Sequence, residues 1–249
     1  MKNISLYGAG RELIEYPTIS PRAKLRRFGV PKITMATRFK LPLLVTGNGR
    51  SGTKTTSMML RKAGFDLPHE RCGKLGTVSW YFFTDSDWHP YPKESSGIVH
   101  LGERRSDFEF NRVVHLVRNP LKVIGSMWNG MTLTNHRFVA DNAPELYPME
   151  VHLSRSSRLL KTMFMSYAVW MKSIEQADFT VNIESIQAKW PALMKALGAD
   201  KNTEMPELVV SNKSRGIYKA RIVTYDDMER EDARLSKRIA KLASKFGYL

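Results

Sequence analysis

Short apolar runs alternate with segments of helical periodicity along most of the chain. The run LPLLVT (41–46) is bounded by proline and glycine, and RVVHLV (112–117) has the strongest strand pattern. FTVNIE (179–184) alternates as a strand, and GIVHLG (97–102) is a further candidate. Because continuous apolar runs are typical of strands buried on both faces, these runs predict a parallel sheet.

Helical patterns lie between and after these runs. A helix is predicted over 53–62, with Gly64 suited to its C-terminal end, and Asn119 and Pro120 predict a helix start directly after the second run. A long helix over 155–176 is indicated by apolar residues spaced three and four apart, which are Leu159, Met163, Tyr167, Trp170 and Ile174.

The C-terminal part continues the pattern with a helix before Gly198 and a last helix. One face of the last helix carries Leu235, Ile239, Leu242 and Phe246, and Thr224 and Asp227 are placed to cap its start. Strands that alternate with helices predict an α/β domain over 41–249, with a central parallel sheet flanked by helices on both faces.

Length and charge narrow the classes of partner. The 249 residues fit one such domain, preceded by a basic N-terminal arm (1–40) that packs on it and is either solvated or in contact with a polyanion. The net charge of +15 favours anionic partners. The chain has a single cysteine and its N-terminus lacks the apolar core of a leader, which predicts a cytoplasmic protein. No apolar run approaches 18 residues, so no transmembrane helix is expected.

The turn NGRSGTKTT, between the first strand and its helix, is suited to an anion. Glycines let a backbone approach closely, and the N-terminus of a helix presents amide groups and a partial positive charge. With Gly47 directly before it, the turn adds three glycines (Gly47, Gly49, Gly52), four hydroxyls (Ser51, Thr53, Thr55, Thr56) and two cations (Arg50, Lys54).

This turn departs from the loop of ATP- and GTP-binding proteins. Gly47 and Gly52 have the spacing of that loop, but Thr53 stands where its lysine belongs, and Lys54 comes one residue late. The strand at 112–117 ends in Arg118, where those proteins hold Mg²⁺ with an aspartate. The pattern predicts a nucleotide with two separate anionic groups and no metal between them.

Two motifs resemble those of sulfotransferases. NGRSGTKTT is similar to the family's 5′-phosphosulfate loop, and VVHLVRNPLKVIGSMW is similar to its 3′-phosphate motif, with Ser126 eight residues after Arg118. The tail from Thr224 to Tyr248 also resembles the family's closing helix. The resemblance implies a P-loop-type α/β fold, 3′-phosphoadenosine-5′-phosphosulfate as donor, no metal, and transfer of a sulfuryl group to a hydroxyl or, less favoured, an amine.

The resemblance also assigns roles. Arg50 stabilises the departing phosphate, and Lys54 either adds charge at the sulfate or points to solvent. The 5′ group is held by loop residues, which are Gly49, Arg50, Ser51, Gly52, Thr53, Lys54 and Thr55. Arg118 and Ser126 hold the 3′-phosphate. The stretch NKSRGIYK supplies a third contact, for which Arg215 is chosen over Lys213 and Lys219.

The stretch LPHERCGKLGTVSW contains the predicted base. It resembles the branch of the family that uses a glutamate, so Glu70 is favoured over His69 to take the acceptor's proton. We expect Glu70 to be ionised, because nearby cations favour a carboxylate. His100 and His115 fall inside apolar runs and are predicted to be core histidines with satisfied ring nitrogens. The aromatic residues at 80–88 serve either the core or an acceptor pocket.

Two other functions remain open from the sequence. One is an ATP-dependent kinase with a variant loop, and the other is a non-enzymatic protein that binds polyanions. The acceptor of a sulfotransferase is predicted to be a small molecule or a glycan, and no specific nucleic acid is expected.

Overall fold

A computed structural model describes residues 39–80, 82, 108–128, 156–207 and 220–249. Three predictions lie outside the described residues. They are the N-terminal arm up to residue 38, the strand at 97–102 with His100, and the basic residues Lys213, Arg215 and Lys219. The last two residues of the arm, 39 and 40, are described and belong to the first strand. In chain order the elements are β1 (Phe39–Gly47), α1 (Thr53–Lys62), β2 (Gly76–Val78), β3 (Phe108–Val117), α2 (Pro120–Trp128), α3 (Arg158–Gln176), β4 (Phe179–Asn182), a 3-10 turn (Ile183–Ser185), α4 (Ile186–Ala196), α5 (Tyr225–Glu231) and α6 (Ala233–Lys245).

The four described strands form one parallel sheet. Their order is β2-β1-β3-β4, so β1 and β3 are the two inner strands. In the register of this pair, Thr46 lies beside His115 and Gly47 lies beside Leu116. The predicted α/β architecture with a central parallel sheet is therefore confirmed.

Helices cover both faces of the sheet. Val113 and Val117 of β3 belong to a cluster that includes Trp170 of α3 and Leu242 of α6. Val114 and Leu116, which alternate with them, belong to a second cluster with Met59 of α1 and Trp190 of α4. Two buried faces explain why the strand sequences are continuously apolar.

Local signals set the predicted helix boundaries. α1 spans Thr53–Lys62, as predicted, and Gly64 follows it with a φ of 92°, a backbone conformation that glycine adopts without strain. Asn119 caps α2, because its Oδ1 accepts a hydrogen bond from the backbone N–H of Leu121 at 3.0 Å. The α2 start at Pro120 is thus confirmed.

The single last helix was a wrong prediction, because the structure has two helices there. Thr224 and Asp227 form the expected capping box, but it begins the short α5. Asp232 then has an extended backbone, and its carboxylate accepts from the N–H of Leu235 at 2.8 Å, which starts α6. Similarly, β4 ends at Asn182, two residues before the predicted end, where the 3-10 turn begins.

His115 is buried as predicted, but the expected hydrogen bonds are missing. Its side chain is fully buried, and neither ring nitrogen has a hydrogen-bond partner. The ring instead makes an edge contact with Phe246, with 5.7 Å between ring centres. Burial, helped by the charge of Lys245, lowers the pKa of His115 to about 3. The imidazole is therefore neutral in the folded protein at any ordinary pH.

We expect His115→Phe to stabilise the fold, by about 1–3 kcal/mol at neutral pH, because it removes two buried polar atoms without partners. The difference in unfolding free energy between His115→Phe and wild type should grow as the pH falls from 6.5 toward 3. The unfolded wild-type histidine takes up a proton in that range whereas the folded one does not, so wild-type stability is lost there. Urea unfolding at pH 7.5 and 5 measures both effects. A variant less stable than wild type at both pH values would contradict the prediction.

Candidate functional site

The candidate site lies at the carboxyl edge of the two inner strands. β1 ends at Gly47 and runs into the glycine-rich loop, and β3 ends at Val117, directly before Arg118. Because β1 and β3 are neighbours in a parallel sheet, their ends meet at one edge. The Arg118 Nη1 atom donates a hydrogen bond to the carbonyl oxygen of Arg50 at 3.0 Å, which joins the two segments.

The loop is held from inside by Asn48. Its carbonyl oxygen accepts from both the backbone N–H of Ser51 at 3.0 Å and the Ser51 hydroxyl at 2.5 Å. Its Nδ2 donates to the carbonyl of Ser166 in α3 at 2.9 Å, whereas its buried Oδ1 has no partner. Arg50 adopts a φ of 71°, an uncommon conformation for a residue with a side chain.

Packing explains two of the three loop glycines. A Cβ at Gly47 would overlap with the carbonyl oxygen of Leu116, and one at Gly52 would lie 2.8 Å from Cγ1 of Ile183. Gly52 also has a φ of 92°. Among the described residues, nothing lies within 4 Å of a Cβ built at Gly49, so their packing does not require glycine there.

Two residues assigned to opposite ends of the nucleotide are in direct contact. The Nε atom of Arg50 donates to the Oγ of Ser126 in α2 at 2.9 Å, and both side chains are half-buried. Arg118 is half-buried as well. The structure thus brings together Arg50, Arg118 and Ser126, which are separated by up to 76 positions in sequence.

The other predicted loop residues divide into three groups. Ser51 is fully buried and its hydroxyl donates to the carbonyl of Asn48, so its contact with a ligand stays a prediction. Lys54 is exposed, which fits the second of its two predicted placements. Thr53 and Thr55 lie in the first turn of α1, where the first amides of a helix have no intrahelical acceptor. That turn can receive an anion.

Glu70 is a buried carboxyl in a strained position. Its side chain is 7% exposed and its φ is 56°, again in the left-handed region. Its Oε2 accepts from the Ser79 hydroxyl at 2.6 Å, and its Oε1 lies 3.4 Å from the backbone N–H of Trp80. The backbone holds this position too, because the Glu70 N–H donates to the carbonyl of Val78 at 2.9 Å.

The expectation that Glu70 is ionised is wrong for the protein without ligand. Burial raises the pKa of Glu70 to about 8, against the opposing effect of the hydrogen bonds from Ser79 and Trp80. No lysine or arginine contacts the carboxyl among the described residues, so burial outweighs the hydrogen bonds. A carboxyl with this pKa is a strong base once it has lost its proton.

His69 connects Glu70 to the start of α1. Its Nε2 lies 3.1 Å from the Thr53 hydroxyl and 3.4 Å from the Oε1 of Glu70. Burial and the charge of Lys54 lower the pKa of His69 to about 4. His69 is therefore neutral at neutral pH and a much weaker base than Glu70, which favours Glu70 of the two predicted candidates.

Three residues near the site, Asn48, Ser79 and Glu184, were not singled out as site residues from the sequence. Asn48 and Ser79 organise the loop and the Glu70 carboxyl, as described above. Glu184 accepts from the backbone N–H of Asn119 at 3.1 Å and from the Tyr248 hydroxyl at 2.6 Å, which ties the C-terminus to the segment after Arg118. The sequence signal for this last contact was only the terminal Gly-Tyr.

Arg221 is a basic residue beside Ser126 that the sequence reasoning also missed. Its backbone N–H donates to the carbonyl of Gly125 at 3.0 Å, and a Cβ at Gly125 would overlap with the Arg221 carbonyl. Its guanidinium lies 4.0 Å from the ring centre of Trp128. Gly125 thus allows the segment before α5 to cross α2 next to the site.

The described residues were searched for metal sites and membrane-spanning helices, and the chain was compared with known proteins. Over the ranges that the structure describes, no group of three or more His, Cys, Asp or Glu side chains could hold a metal ion. None of the helices in those ranges is long and apolar enough to cross a membrane. No protein-family model matches the chain, and no curated protein matches it.

Proposed function

We propose that this protein is a sulfotransferase with a P-loop-type fold that uses 3′-phosphoadenosine-5′-phosphosulfate as its donor. The observation that carries the proposal is the junction of Arg118 with the loop, in which its Nη1 lies 3.0 Å from the Arg50 carbonyl. That junction brings two guanidinium groups, Ser126 and the start of a helix to one edge of the sheet. Guanidinium groups and helix N-termini are suited to phosphate and sulfate oxygens.

The donor set fits a doubly phosphorylated nucleotide better than a magnesium nucleotide. At the end of β3 the chain has a cation, Arg118, in the place where a metal-dependent nucleotide site has a carboxylate. The only cationic residue in the first turn of α1 is Lys54, which is exposed. These features favour the sulfotransferase over a kinase.

The donor, when bound, supplies an activated sulfuryl group. The acceptor hydroxyl forms a new oxygen–sulfur bond while the bond from sulfur to the phosphate oxygen breaks, and the acceptor proton goes to Glu70. Arg50 stabilises the negative charge that develops on the departing phosphate, and Arg118 holds the 3′-phosphate at the other end of the donor. Oε1 of Glu70 is the oxygen that takes the proton, because its two contacts are long, whereas Oε2 is held by Ser79 at 2.6 Å.

Thermal unfolding with nucleotide ligands tests the proposal. Adenosine 3′,5′-bisphosphate at about 100 times its dissociation constant should stabilise the protein by about 2.7 kcal/mol. AMP and ATP with Mg²⁺, at the same concentration, should raise the Tm much less. A larger shift with ATP and Mg²⁺ would favour the kinase and refute the proposal.

A further inference from the structure

One exposed face of α6 is uniformly basic. Its 13 residues include five cations and no acidic residue, and all five cations are exposed. They recur at spacings of three and four along the helix, so they lie on one stripe about 16 Å long. We call this the basic stripe, and its members are Arg234, Lys237, Arg238, Lys241 and Lys245.

The stripe is held rigidly and its charges are not neutralised within the described residues. The opposite face of α6 is buried in the core through Leu235, Ile239 and Leu242. The ion pairs of the described residues involve none of the five cations. Like charges at these spacings repel one another, so the stripe lowers helix stability unless an anionic partner binds it.

The stripe leads to the candidate site. Just beyond Lys245, the carbonyl of Phe246 accepts from the Nδ2 of Asn182 at 2.6 Å, at the end of β4. Tyr248 then bonds to Glu184, which also holds the N–H of Asn119, the residue after Arg118. At the other end of α6, α5 and Asp232 contribute five acidic residues and one arginine. The potential along the stripe is therefore most positive on the side of the site.

We propose that the basic stripe is a docking surface for an extended acidic polysaccharide that carries sulfate or carboxylate groups. Basic clusters of this size suit such polymers and nucleic acids. Proteins that bind single-stranded nucleic acid stack its bases on aromatic side chains, and α6 exposes no aromatic side chain. A helix that binds a membrane surface inserts apolar side chains, but the large apolar residues of α6 are in the core.

The position of the stripe also indicates the class of acceptor. The Lys245 end of the stripe adjoins Asn182 at the end of β4, so a polymer bound along α6 extends toward the sheet edge that precedes Arg118, and its hydroxyl groups are the acceptors. This second step rests on the proposed function, whereas the docking surface does not.

Binding of a fluorescent heparin hexasaccharide at increasing salt tests the docking surface. The test variant is Lys237→Gln/Arg238→Gln/Lys241→Gln. The control, Arg61→Gln/Lys62→Gln/Lys189→Gln, removes the same charge from exposed positions of α1 and α4, which cover the other face of the sheet. The test variant should bind about tenfold or more weakly, with a shallower salt dependence, and the control should stay within about twofold of wild type.

Three results would overturn the docking surface. They are equal losses in both variants, equally tight binding of an oligothymidylate of the same charge, and equally tight binding to vesicles that contain phosphatidylserine.

The Tm shift with adenosine 3′,5′-bisphosphate should be the same in both variants and wild type. Stripe-dependent hexasaccharide binding without that shift in any of the three would refute the proposed function alone. Absence of sulfate transfer from labelled donor to the hexasaccharide, with the shift intact, would refute the acceptor class.

Discussion

Glu70→Gln should lower the rate of sulfuryl transfer by about 10²–10⁴-fold and leave the affinity for adenosine 3′,5′-bisphosphate unchanged. General base catalysis contributes a factor of that size, and an amide cannot take the acceptor's proton. The fold should be kept, because glutamine has the same shape and the Ser79 hydroxyl can still donate to its oxygen. Single-turnover transfer and calorimetry measure the two quantities.

The pH dependence of the rate gives a second readout for the same residue. With a pKa of about 8, only about a tenth of Glu70 is ionised at pH 7, so the wild-type rate should rise roughly tenfold between pH 7 and 9.5. The rise should be absent in Glu70→Gln. This readout separates a base from a residue that merely packs in the core.

The exposed Glu109→Gln in β3 is the control, because it makes the same substitution outside the site. It should keep both the wild-type rate and the alkaline rise. His69→Gln should retain the alkaline rise, since the imidazole is neutral at neutral pH. Full turnover in Glu70→Gln would remove Glu70 as the base.

Arg118→Ala should weaken binding of adenosine 3′,5′-bisphosphate by about 10–150-fold. The loss of a charge-assisted hydrogen bond costs about 1.5–3 kcal/mol, which corresponds to that range. The effect has two sources in the structure. The guanidinium is a direct phosphate ligand in the proposal, and it also supports the Arg50 carbonyl at 3.0 Å, where the backbone is strained.

Arg112→Ala is the matched control. It removes an arginine from β3, the strand that ends directly before Arg118, at a position where the guanidinium bonds to the carbonyl of Ala196, the last residue of α4, rather than to the loop. Calorimetry should show wild-type affinity for this variant. Equal affinities of Arg118→Ala and wild type would mean that the 3′-phosphate is bound elsewhere, and would refute the assignment of Arg118.

Local signals were sufficient for most of the helices and strands. The glycine-rich turn and Gly64 gave the bounds of α1, and Asn119 with Pro120 gave the start of α2. These features depend on contacts between neighbours in sequence, so a single chain contains them. The division of the last helix was missed, because the cap at Thr224 and the apolar face from Leu235 onward were assigned to one helix, whereas Asp232 has an extended backbone and caps a second helix.

The site residues were predicted as candidates, but their contacts were not. The spacing of Arg118 and Ser126 indicated a phosphate motif, yet nothing in the sequence placed Arg50 against Ser126. Glu70 was predicted to be ionised, whereas its pKa is raised to about 8. The sequence around Glu70 suggested neighbouring cations that would favour the carboxylate. The side chains that contact it in the structure are Ser79 and His69, and the residue is buried.

The sequence by itself determined the α/β architecture, the glycine-rich turn after β1 and the cationic residue after the second inner strand, because each follows from the order of residues over short distances. The tertiary structure decided which side chains meet and how much water reaches them. Burial and long-range contacts set the pKa of Glu70, the unpartnered ring of His115 and the junction of Arg118 with the loop. The contacts of His115 and Arg118 join residues far apart along the chain, and the pKa of Glu70 depends on burial, so only folding decides them.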